Sequence, residues 1–278
     1  MSIRGLLSGL LVCFSAQLLT LSAGAIERGI LVGAREAALA QAVTALSGNF
    51  TIFNNQAFLV EAGSPALTIS YRQPYLISGH NECGLSLVYP TRLAVLAAGV
   101  TQSAIANYRE STIGISIARE LSGKLSAGLL FNWFFLNFPE IDRFKGSLNV
   151  DGGVRYQWNE KLKLGFHWKN IASSKIETFQ YSLDFPLIIR GGASLQLTER
   201  ILLAGEIFYE QGFGSGVRFG TEVILTDNFQ LRGGLATNPF QHSFGFGYRW
   251  DTCQLDFAMV HHELLGYSPT ISLSFYFK

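Results

Sequence analysis

The sequence predicts an all-β protein: a transmembrane antiparallel β-barrel of about 14 strands with a short N-terminal helical plug. Three observations predict it. Apolar and polar residues alternate with period two over most of the chain, which puts one set of side chains on each face of a strand. Short polar turns and longer breaks take turns between these runs. And one of the two faces is almost free of charge, as a bilayer demands of strands that cross it.

Residues 1–25 read as a secretory signal. Arg4 is followed by an apolar run and then Ala23-Gly24-Ala25, an A-x-A cleavage pattern. Ser15, Gln17 and Thr20 interrupt the run, which argues against a membrane anchor. Residues 26–64 read as a plug segment. Within it Gly33 to Leu46, "GAREAALAQAVTAL", has alanines and no β-alternation, and predicts a short helix.

Residues 65–278 read as the barrel. Leu67, Ile69 and Tyr71 alternate with Thr68, Ser70 and Arg72; Ile113, Ile115 and Ile117 with Thr112, Gly114 and Ser116; Leu162, Leu164, Phe166 and Trp168 with Lys163, Gly165 and His167. Near the end Phe244, Phe246, Tyr248 and Trp250 alternate with Ser243, Gly245, Gly247 and Arg249. Hairpin signals stand at Pro90-Thr91-Arg92, Ser122-Gly123-Lys124, Asn159-Glu160, Thr198-Glu199, Thr226-Asp227-Asn228 and Asp251-Thr252. Longer breaks such as "QSAIANYRE", "YEQGFGS" and "HHELLGYSP" lie between them and are expected to be loops. An even strand number leaves both ends of the barrel on one side.

From Val217 onward the proposed outward set, from Val217 and Phe219 to Phe275 and Phe277, carries no charge, while the opposite set holds Arg218, Glu222, Arg232, Arg249 and Asp256. A Lys or Arg at mid-bilayer costs about 2–4 kcal/mol, so the charges are expected inside. With Arg190 and Glu206 they form the candidate lumen site: Arg190, Glu206, Arg218, Glu222, Arg232, Arg249 and Asp256. Mixed signs pair readily, which favours a structural network over a pore lining. A soluble barrel would invert the two faces.

Charged residues are only 15% of the chain and the net charge is +1, so there is no basic patch to support a nucleic-acid partner. Cys83 and Cys253 fall towards opposite rims and are expected to be free thiols. His261-His262-Glu263 is the one cluster with metal-like composition, but adjacent residues on a strand point to opposite faces, and no metal is expected there. No cofactor and no enzyme motif is apparent; His80 and His242 near the loops leave a rim enzyme as the rival.

The N-terminal stretch "GAREAALAQAVTALSGNFTIFNNQAFL" resembles the opening of the PorV/PorQ-type outer-membrane proteins, relatives of the FadL fatty-acid channel. Gly33, Ala34 and Arg35 match the first part of that pattern and Asn55, Ala57 and Leu59 the second; Gln56 and Phe58 depart from it. The resemblance implies a 14-stranded barrel with an N-terminal plug in the outer membrane of a diderm (Gram-negative) bacterium. It implies a non-enzymatic accessory or structural part of an envelope secretion machinery, with outer-membrane lipid and other envelope proteins as partners. The alternative it carries is a FadL-like channel for small hydrophobic molecules.

Overall fold

The computed structural model describes residues 33–137, 145–172, 176–177, 182–183 and 185–277. The expected export signal, residues 1–25, lies outside them. The strands are β1 (Ala66–Arg72), β2 (His80–Pro90), β3 (Val95–Ile105), β4 (Tyr108–Ser122), β5 (Leu125–Asn137), β6 (Lys145–Gln157), β7 (Leu162–Ala172), β8 (Ile176–Glu177), β9 (Ser182–Leu183), β10 (Ile188–Thr198), β11 (Ile201–Glu210), β12 (Gly214–Ile224), β13 (Phe229–Ala236), β14 (Gln241–Trp250), β15 (Cys253–His262) and β16 (Gly266–Tyr276). Fourteen of them close an antiparallel barrel in which each strand pairs with its sequence neighbours and β1 pairs with β16; β8 and β9 form a separate hairpin between β7 and β10. A closed ladder leaves no strand edge unpaired, which is what a strand in hydrocarbon requires.

The alternation survives intact. On β4, Ile113, Ile115 and Ile117 point outward and are exposed, while Thr112, Gly114, Ser116 and Ala118 point inward and are buried. Arg109 and Arg119 bracket the outward isoleucines. The ten residue steps from one to the other rise about 33 Å along the strand, or near 25 Å at a tilt of roughly 40°, the height of an apolar membrane band. On β14, Phe244, Phe246, Tyr248 and Trp250 are exposed on the outside, and Ser243, Gly245 and Gly247 are buried inside. Neither face is the inverted arrangement of a soluble barrel.

Both ends of the ladder, Ala66 and Tyr276, are paired neighbours at one end of the barrel, the turn end. The expected hairpins are there, held by side chains that mimic a backbone turn. Asn159 Oδ1 accepts from the amides of Lys161 and Leu162 at 2.9 and 2.8 Å, and Thr226 Oγ1 accepts from Phe229 N at 3.1 Å.

At the other end, the loop end, the ladders run further than alternation indicates. "QSAIANYRE" is not a loop: Gln102 to Ile105 pair with Ser111 to Tyr108, and only Ala106 and Asn107 are left to turn the chain. Likewise only 211–213 and 263–265 separate the strands at the other two long breaks. Beyond the apolar band both faces of a strand meet water, so alternation fades while hydrogen-bond pairing continues.

Of the helix expected over 33–46, only α1 (Ala34–Ala38) is helical. Ala40 and Gln41 have φ of 50° and 61°, which ends it. Ala40 N is shared between Ala37 O and Ser243 Oγ, both at 3.1 Å. Packing against the barrel wall overrides the helix propensity of the alanines.

Candidate functional site in the lumen

Residues 33–62 lie inside the barrel. The wall makes room with glycines at close approach. A Cβ on Gly165 of β7 would sit 2.0 Å from the Thr44 carbonyl oxygen, and one on Gly128 of β5 would sit 2.6 Å from the Gln56 carbonyl carbon. Most of this segment is not helical, so its backbone polar groups need partners from the wall. Small polar side chains supply them. Ala34 N donates to Ser272 Oγ at 2.8 Å, Ser194 Oγ donates to Ala45 O at 2.7 Å, and Ser86 Oγ donates to Asn49 O at 2.7 Å. Asn55 Nδ2 donates to Thr44 O at 2.7 Å, while its Oδ1 accepts from Ala57 N at 3.2 Å and opens a 3-10 turn over Gln56–Glu61.

The charges fall into separate groups. Arg232 of β13 has a fully buried side chain. Its Nε lies 2.6 Å from Glu222 Oε2 and its Nη1 2.6 Å from Asp256 Oδ1. Arg35 of α1 reaches the same Glu222, with Nε 2.8 Å from Oε2 and Nη2 3.1 Å from Oε1. One ionic chain thus joins the inner segment to β12, β13 and β15. A second group joins Arg218 Nη1 to Glu206 Oε1 at 2.8 Å, while Glu206 Oε2 accepts from Thr44 N at 3.0 Å. The Arg218 guanidinium also lies over the Phe208 ring, 4.1 Å from its centre.

Arg249 stands apart at the turn end, exposed and 4.5 Å from the Tyr276 ring centre. Arg190 also stands apart, opposite His167 in the β7–β10 ladder and electrostatically coupled to Asp151. Of the motif residues from the N-terminal resemblance, Gly33 precedes α1, Ala34, Ala57 and Leu59 are buried, and Arg35 and Asn55 hold the contacts just described.

Sequence reasoning missed several inward groups. Glu61, at the end of the inner segment, lies 2.7 Å from Arg155 Nε and 2.8 Å from Lys163 Nζ. Asp151 is completely buried and accepts from Asn132 Nδ2 at 2.9 Å and from Asn170 N at 2.8 Å. Asp151, Arg155 and Lys163 stand at polar positions of the alternation, so their inward aim was legible; Glu61 lies in the 3-10 turn of the inner segment, where no alternation runs, and none of the partners was legible.

Apolar groups gather on the β5 side of the lumen, among inward polar groups such as Glu110, Thr112, Asn132 and Asp151. On β5, Leu130, Phe134 and Leu136 point inward and are buried. Phe134 meets Phe185 edge-on at 5.0 Å, and Leu136, Tyr108 and these two rings form a cluster at the loop end. Below it, Phe50, Ile52, Phe53 and Leu59 of the inner segment pack on Leu130, Val88, Val95, Ala97 and Ala118. At the turn end a cavity of about 500 Å³ opens between Arg35, Glu36, Asn49, Glu61, Arg249 and Asp256. Among the described residues no three metal-ligating side chains gather.

No family model and no curated protein matches the sequence. Solved structures do match the fold. The CymD monoaromatic hydrocarbon channel aligns with a TM-score of 0.67 at 15% identity, over 88% of this chain and 97% of that one. The Ralstonia pickettii toluene transporter TbuX aligns with a TM-score of 0.69 at 12% identity, over 89% and 98%. A Pseudomonas aeruginosa FadL homologue aligns with a TM-score of 0.61 at 14% identity, over 89% and 99%. The likeness is one of fold, and it is FadL-like; it does not single out the PorV/PorQ group.

Proposed function

We propose that this chain is a non-enzymatic outer-membrane channel for small hydrophobic molecules. This reverses the order of the two readings that the N-terminal resemblance carried. The observation that supports the channel most directly is an apolar strip on β5: Leu136 and Phe134 at the loop end and Leu130 against the phenylalanines of the inner segment, interrupted by the single polar side chain of Asn132. Ions and sugars gain nothing from such a strip, whereas an apolar solute gains roughly 25 cal/mol per Å² of surface removed from water. The fold shared with hydrocarbon channels agrees with this reading. In it the turn end faces the periplasm, the loop end faces outward, residues 1–25 direct export, and residues 26–64 close the lumen as a plug.

The test is uptake of a labelled monoaromatic compound by cells that lack their own channel for it. Cells with this chain should take it up faster than cells without. Phe134→Asn, which puts an amide into the strip, should lower the rate several-fold at equal barrel abundance. Equal uptake with and without the chain would refute the channel.

The second reading, an accessory barrel that binds envelope proteins, is favoured by the filled lumen. Purification from outer membranes would support it if one envelope protein came along at a fixed ratio.

A further inference from the structure

The histidine pair that the chain brings together is not the adjacent one. His261 and His262 do point to opposite faces. His262 turns inward, and its Nδ1 accepts from the amides of Leu264 and Leu265 at 3.1 and 3.3 Å, which fixes the β15–β16 turn. His261 turns outward and stands directly opposite His242 of β14 in the ladder. Their ring centres are 4.6 Å apart with planes tilted 34°. His242 is exposed and His261 half-buried, both on the outer face at the loop end.

We propose that His242 and His261 form a binding site for a divalent transition-metal ion, Cu²⁺, Zn²⁺ or Ni²⁺, at the rim of the barrel. The geometry suits chelation. At metal–nitrogen distances of about 2.0–2.1 Å, two imidazoles meeting at one ion with an angle of roughly 90–109° hold their ring centres about 4.5–5.3 Å apart. The observed spacing falls inside that window. The ladder sets the spacing, because directly opposite residues on one face of an antiparallel pair have Cβ atoms about 4.5–5.5 Å apart. Neither imidazole donates to or accepts from any described residue in the hydrogen-bond network, so its nitrogens are not already engaged. Imidazole nitrogen is a ligand of choice for these three ions. Two protein ligands leave the remaining coordination positions to water.

Ring packing alone is the competing explanation. Tyr267 lies 4.5 Å from His261 and Phe240 lies 6.5 Å from His242, centre to centre, so the pair belongs to an outward aromatic row. Such a row would place the rings without any use for their nitrogens.

Cu²⁺ separates the two, because its electron paramagnetic resonance spectrum counts bound nitrogens. The sample is the full barrel, without a histidine tag, in detergent. One saturable Cu²⁺ per barrel with a two-nitrogen signature is expected. His242→Asn and His261→Asn should each lose that signature, while His80→Asn should keep it, all three retaining the gel mobility of a folded barrel. Persistence of the two-nitrogen signal in either variant of the pair, or the absence of saturable uptake by the unaltered protein, would overturn the site.

Discussion

Arg232 shows what one inward residue does in this lumen. Its guanidinium has two carboxylates at 2.6 Å and no access to solvent. Removing one partner of a buried pair leaves an uncompensated charge, which typically costs about 3–5 kcal/mol. Arg232→Ala should therefore lower unfolding stability by about that much in urea titrations in lipid vesicles, and Glu222→Gln with Asp256→Asn in the same chain should restore part of the loss. An unshifted midpoint for Arg232→Ala would mean the chain of charges is ornamental. Glu61 belongs to the turn end instead. Burial alone would raise its carboxyl, but Lys163 and Arg155 outweigh burial and hold it below the ordinary value. A depressed carboxyl stabilises the fold above its unfolded value, and that contribution fades as pH falls through the folded value. Glu61→Gln should accordingly cost about 2 kcal/mol near neutrality, and nothing once the medium is acid enough to protonate Glu61 in the native barrel. The inward aim of Arg232, Glu222 and Asp256 could be read from period two, and that of Glu61, in a 3-10 turn, could not. Nor could their grouping. Arg190 and Arg232 share a face in the linear pattern, yet β10 and β13 are three strands apart around the wall, and a pattern along one strand carries no angle around the barrel.

At the scale of elements, the wall and the inner segment specify each other. Serine and glycine at inward positions look like weak strand formers, and alternation by itself offers no reason for them. The reason is the backbone that presses against them. Gly165→Ala forces a Cβ to 2.0 Å from the Thr44 carbonyl oxygen, a backbone atom that cannot step aside as a flexible side chain would. Overpacking of this kind costs about 1–3 kcal/mol. The expected outcome is a lower fraction of heat-modifiable barrel, or an inner segment newly open to protease. Gly123→Ala, where a Cβ meets nothing within 4 Å, should behave like the unaltered chain; equal losses in both variants would detach the effect from the inner segment. The same contacts explain why α1 stops after five residues. Local propensity favoured a longer helix, but the Ser243 hydroxyl accepts from the Ala40 amide and donates to Ala38 O at 2.8 Å, a carbonyl that a longer helix would have bonded to a later amide. Strand ends at the loop end were misread for a different cause: pairing there outlasts the apolar band that makes strands visible.

The whole molecule was the most legible scale, because closure and the sidedness of apolar residues follow from one solvent constraint, and the strand number can be counted from the turns between the alternating runs. What that constraint does not settle is whether the enclosed space conducts. Residues 33–62 occupy it, tied to the wall by the Arg35–Glu222 pair, by serine hydroxyls and by apolar packing under β5. A barrel of 14 strands is wide enough to leave a pore when empty, so on the plugged reading proposed above this segment is the main barrier. The intact chain in a planar bilayer should pass no steady ionic current. A chain lacking residues 34–62 keeps every strand of the ladder, and where it inserts it should give a steady, ohmic conductance. A steady current through the intact chain would show a continuous aqueous path beside the segment and would count against both the plug and the selective use of the β5 strip. Conductance that appears only on deletion would place the barrier in the segment, and it would leave apolar solutes, which need no aqueous path, as the cargo the β5 strip suits.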